Sequence, residues 1–147
     1  MSLKVSTGLR DYMLATGSFK DAMDLGFLKL YSGTEPATAD ASIGAAVLLC
    51  TISVSGGGTG LTFEAVPVSG VLSKESSEAW QGSIVASGTC SFFRFVAAGD
   101  TGVLSTTEKR LQGAVAAIAS DLNLSNVVLT SPAIQTINHF NVALPTL

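Results

Sequence analysis

Apolar residues mostly alternate with a period of two from Phe27 onward, and spacing near 3.6 marks the stretch before it, with 107–119 fitting either period. Successive strand side chains point to opposite faces, whereas i, i+3, i+4 spacing lines one face of a helix. Leu9, Tyr12 and Met13 share such a face behind Thr7 as a cap. Phe19, Ala22 and Met23 repeat it behind Ser18, with Asp21 in a capping-box position and Gly26 as a stop. Residues 1–26 are therefore predicted as a short helical arm, packed on its own domain or laid on a neighbouring subunit. Tyr12, Met13, Phe19 and Met23 are the candidate contacts.

Strands follow. Residues 27–33 put Phe27, Lys29 and Tyr31 on one face and Leu28 and Leu30 on the other. Residues 46–54 offer Leu48, Cys50, Ile52 and Val54 as an apolar stripe. The small, Pro-containing segment 34–42 between them reads as a surface loop that touches something else. Gly-rich 55–60 reads as a hairpin tip, without the Gly-Lys-Ser/Thr of a phosphate cradle. In 61–68, Pro67 restricts the strand to a sheet edge or a bulged position.

Residues 87–102 hold three of the seven phenylalanines between two turn signals and are predicted as the central strand. Cys90, Phe92, Arg94 and Val96 fall on one side, Ser91, Phe93, Phe95 and Ala97 on the other. Both sides are apolar, so the strand is sandwiched within its own domain or has one face covered by another subunit. Arg94 is then either paired with a carboxylate inside the protomer or aimed at a partner.

Residues 107–119 fit a helix with Leu111, Val115 and Ile118 on one face. Gly113 would cost such a helix about 1 kcal/mol, and the neighbouring segments read as strands, so strand is the assignment. In 121–125, Leu122 and Leu124 point inward and Asp121, Asn123 and Ser125 outward. A last strand spans 134–144. The pattern predicts a mainly β chain: a single-domain β-sandwich or jelly roll over 27–147, preceded by the helical segment 1–26.

Composition alters what such a domain can do. Charged residues are 13% of the chain, against about 25% on average, and mean hydropathy is +0.47. A surface this poor in charge suits a subunit partly covered by neighbours, hence a homo-oligomer. The net charge of −3 and scattered Lys and Arg argue against nucleic acid. No secretory signal is visible, and the longest apolar run, 45–50, is too short for a membrane helix, which predicts a soluble product of a cytoplasm.

Candidate chemistry is sparse. His139 is the single histidine, so neither a metal site nor a cofactor is expected. Cys50 and Cys90 lie in apolar strands, the wrong setting for a nucleophile paired with His139. They read as two buried thiols, or as a disulfide if their strands pair or face each other. The eleven carboxylates are dispersed. An enzyme is not predicted. Trp80, the only tryptophan, reads as a core lid whose indole N–H reaches a carbonyl, or as a ligand platform.

Several stretches carry a resemblance: Ser6-Thr-Gly-Leu-Arg-Asp-Tyr-Met-Leu-Ala-Thr-Gly-Ser18, Leu30-Tyr-Ser-Gly-Thr-Glu-Pro-Ala-Thr-Ala-Asp-Ala41, Trp80-Gln-Gly82, Phe93-Arg94 with Gly99-Asp-Thr-Gly102, and Asp121-Leu-Asn-Leu-Ser125. Across nearly its whole length the chain resembles small virion structural proteins of tailed bacteriophages. The resemblance implies a capsid-decorating, neck or tail subunit, made in the bacterial cytoplasm, whose partners are other virion proteins. It brings no catalytic residues. The alternative is a host-surface glycan-binding module of a fibre or spike, with Trp80, Tyr12 or Tyr31 as its aromatic platform.

Overall fold

The computed structural model describes residues 3–144. In chain order the elements are β1 (Lys4–Val5), α1 (Thr7–Ala15), α2 (Phe19–Met23), β2 (Phe27–Ser32), β3 (Val47–Val54), β4 (Val71–Ser73) and β5 (Trp80–Ser83). They continue with β6 (Gly88–Thr89), β7 (Phe92–Val96), β8 (Arg110–Ala116), β9 (Leu122–Asn123), β10 (Val128–Leu129), β11 (Ile134–Ile137) and β12 (Asn141–Ala143). The fold is mainly β, as the alternation predicts. One long sheet runs β1-β8-β7-β2-β3-β5-β11, with β9 parallel to the end of β8, and two-stranded ribbons join β4 to β12 and β6 to β10.

The predicted central strand is interior to the long sheet but shorter than 87–102. It covers Phe92–Val96, Gly88–Thr89 pairs with β10 in a separate ribbon, and Cys90 joins the core of Phe93 and Phe95 rather than the face of Phe92 and Arg94. β7 pairs with β2 and β8, and all five of its residues are buried. On one face Phe93 and Phe95 join Leu28, Leu30 and Leu111 over the core, where Phe63, Trp80 and Phe140 form an aromatic cluster with centroids 5.4–6.2 Å apart. The helices, the β4–β12 ribbon and Phe63 close that side in a sandwich-like arrangement. On the opposite face Phe92 stacks on Tyr31 at 5.0 Å, and Arg94 lies between Lys29 and Gln112 in register.

The strand assignment at 107–119 holds for Arg110–Ala116, and Gly113 shows why a helix former fails there. A Cβ at this position would lie 2.8 Å from both the Phe93 ring and Asp121 Cβ, so glycine lets the Phe93 ring and Asp121 lie against β8.

The helical segment shares the core: Leu9 and Met23 are fully buried and Ala22 nearly so. Ser18 and Asp21 form the predicted capping box. The first helix is capped by Ser6 rather than Thr7. Ser6 Oγ accepts from the Leu9 and Arg110 amides and donates to the Glu108 carbonyl, tying the helix start to β8. Thr7 instead donates its amide and hydroxyl to the Asp40 carboxylate at 2.8 and 2.6 Å.

Three strand assignments need correction. A bulge sets Leu30 opposite Cys50 but Tyr31 opposite Leu48, leaving Leu49 as the extra residue. Leu48 thus leaves the stripe of Cys50 and Ile52, because one inserted residue reverses the alternation. Residues 61–68 make only isolated bridges, and their hairpin turns at Ser69-Gly70, both with positive φ. The last strand breaks at residues 138–140, where Phe140 turns into the aromatic cluster.

Candidate interaction surface and seam cleft

Arg94 and Arg110 are both fully buried on the outer face of β7 and β8. Arg110 takes the nearby carboxylate: its Nε and Nη2 donate to the two Asp100 oxygens at 2.6 and 2.8 Å, and its remaining donors reach the Ala39, Asp40 and Val103 carbonyls. Burial raises the Asp100 pKa, but the hydrogen bonds from Arg110 and the Gly102 amide outweigh it and hold the carboxyl below its ordinary value. Arg94 has neutral partners. Its Nε donates to Gln112 Oε1 at 2.7 Å and its Nη2 to the Ala41 carbonyl at 2.7 Å, while Nη1 has no partner among the described residues. The expected carboxylate partner of Arg94 is replaced by an amide and loop carbonyls.

The loop 34–42 supplies those carbonyls. Gln112 Nε2 donates to the Pro36 carbonyl and to Glu35, and Lys4 pairs with Glu35 at 2.6 Å. The excursion predicted to touch something external therefore roofs the chain's own arginine layer. Arg94 does not face outward, so it is withdrawn as an interface residue.

Trp80 is also withdrawn as a ligand platform. It is fully buried, its Nε1 donates to Glu78 Oε2 at 2.9 Å rather than to a carbonyl, and Phe63, Phe95 and Phe140 surround the ring. Tyr31 lies buried against Phe92. Cys50 and Cys90 are free and buried, so the disulfide is absent. Burial pushes their thiols up to about 11 and about 12, the opposite of an activated nucleophile. Of the helical candidates, Met23 is core. Phe19 packs edge-on against Phe63, and Tyr12 is half-buried under Lys109 Nζ at 4.4 Å. Met13 stays exposed.

The outward surface is built elsewhere. Ala65 to Gly70 are six consecutive exposed residues at a hairpin tip, four of them apolar, and none is charged. Val66 and Val68 are 70% and 73% exposed, and Leu144, whose amide donates to the Gly70 carbonyl, extends the same tip. Leu14 beside Met13 is 85% exposed. The sequence holds a signal for this tip, the uncharged stretch with Pro67 that follows Glu64, but the alternation there reads as an edge or bulged strand.

A cleft of about 410 Å³ lies at the seam of the long sheet, where Leu3, β8 and β9 face residues 139–142 without a ladder between them. Phe93, Leu111, Leu122 and Phe140, all buried, form its floor. Its rim is Asp121, Asn123, His139 and Asn141. Alternation placed Asp121 and Asn123 outward, but nothing in the sequence places His139 and Asn141 opposite them.

No protein-family model matches the chain, and neither a curated protein nor a solved structure matches it. Among the described residues no helix is long and apolar enough to cross a membrane.

Proposed function

We propose that the chain is a structural subunit of a bacteriophage virion, a capsid-decorating or head-to-tail protein that buries apolar and neutral polar surface against its own copies and a shell protein. The observation that carries the assembly reading is the uncharged, exposed apolar tip at Ala65–Val68. Burying a valine side chain contributes about 1.5–3 kcal/mol, so Val66 and Val68 are strong candidates for contact residues. A standard interface takes about 800 Å² per partner, roughly a tenth of the 7518 Å² this chain exposes. The resemblance to virion proteins supports the location.

The test combines solution mass with co-sedimentation on purified phage particles. Wild type is expected to form oligomers or bind particles, and Val66→Asp with Val68→Asp to abolish this while leaving the melting temperature unchanged. A protein that stays monomeric and never sediments with particles sinks the proposal.

A further inference from the structure

The geometry points to the seam cleft as a binding site for one ring of a neutral carbohydrate, a role independent of assembly. Its 410 Å³ falls within the range of small-molecule sites. The rim groups are only partly committed. Asp121 Oδ2 accepts from the Ala114 amide, which leaves Oδ1 available; Asn123 Oδ1 accepts from the Ser120 amide, which leaves its two N–H groups. Among the described residues the side chains of His139 and Asn141 have no hydrogen-bond partner, and each can donate and accept.

This distribution selects a ligand class. A sugar ring has hydroxyls that donate and accept around its edge and apolar C–H faces, matching a polar rim above the Phe93, Leu122 and Phe140 floor. Neither Lys nor Arg lines the cleft, so a phosphate or carboxylate would find no counterion. A wholly apolar ligand would desolvate four rim groups without replacing their hydrogen bonds.

The test is an amide-detected NMR titration of the full chain with glucose, galactose, mannose, rhamnose and N-acetylglucosamine. At least one is expected to shift the Asn123, His139 and Asn141 signals saturably, with a dissociation constant on the order of 1 mM. Asn123→Ala and Asn141→Ala, both at exposed positions, should each weaken binding roughly threefold to tenfold, the value of one hydrogen bond. Absence of saturable shifts at these residues with every sugar overturns the assignment, as do shifts that survive the double substitution. Shifts produced only by an alternating Val-Thr peptide would give the cleft to a strand and overturn it equally.

Discussion

Replacing Asp100 by Asn should be among the most damaging single-atom changes in the chain. The carboxylate accepts from Arg110 Nε, Arg110 Nη2 and the Gly102 amide at 2.6, 2.8 and 2.8 Å, and its side chain is 1% exposed. Asparagine keeps the shape but leaves a fully buried guanidinium facing carbonyls, with no counter-charge. Breaking a buried pair from one side costs about 3–5 kcal/mol, a large part of the roughly 5–15 kcal/mol that stabilises a domain. Urea unfolding measures it, with Arg110→Met and the Asp100→Asn/Arg110→Met double variant completing a cycle. The double variant should lose less than the sum of the single variants, because no orphaned charge remains.

The pH dependence supplies a second reading. The folded carboxyl titrates below its unfolded value of about 3.9, so its contribution is fully present above that pH and is lost as pH falls through the folded value. The stability gap between wild type and Asp100→Asn should therefore be constant near neutrality and shrink in acid. A loss under about 1 kcal/mol, the size of a surface ion pair, or a gap that widens in acid, would refute this account of the layer.

Two further outcomes follow from burial. Phe140→Ala should cost about 3–5 kcal/mol by chemical unfolding, since it empties the centre of the Phe63, Trp80, Phe93 and Phe95 cluster; a cost under 1 kcal/mol would mean that the 138–140 turn does not anchor the core. Cys50 and Cys90, with thiols raised to about 11 and about 12, should react with a thiol reagent at pH 8 only as fast as the protein opens, and immediate labelling of either would contradict their burial.

What the sequence disclosed was local. Ser18 and Asp21 carry their capping box within four residues, and the period of two from Phe92 to Val96 sorts the faces of β7 as observed. The helix cost of Gly113 and the strand character of its neighbours decided strand over helix, although the contact with the Phe93 ring was invisible. Features set by distant partners escaped. The bulge at Leu49 depends on how β3 meets β2, and no propensity marks it. The cover over Arg94 comes from carbonyls more than fifty residues earlier in the chain. The two sides of the seam cleft, β8 with β9 and residues 139–142, share no ladder with each other, so only the Asp121 and Asn123 half of its rim could be inferred.

The disposition of charge bears directly on how this surface can associate. Eight Lys and Arg residues are present, and all are engaged within the chain. Arg94 and Arg110 are buried, Lys4 and Lys20 pair with Glu35 and Asp24, and Lys29 and Lys74 donate to backbone carbonyls. Arg10 donates to Thr7, and Lys109 sits over the Tyr12 ring. Association through Val66 and Val68 would thus be apolar in character, with little electrostatic steering. Moderate NaCl should leave the oligomer unchanged, because screening acts on exposed charges, and sulfate should strengthen it by favouring apolar burial. Light scattering across a salt series reads this out. Dissociation that grows steeply with NaCl would place the contact on charged residues and rule out the hairpin tip as its centre.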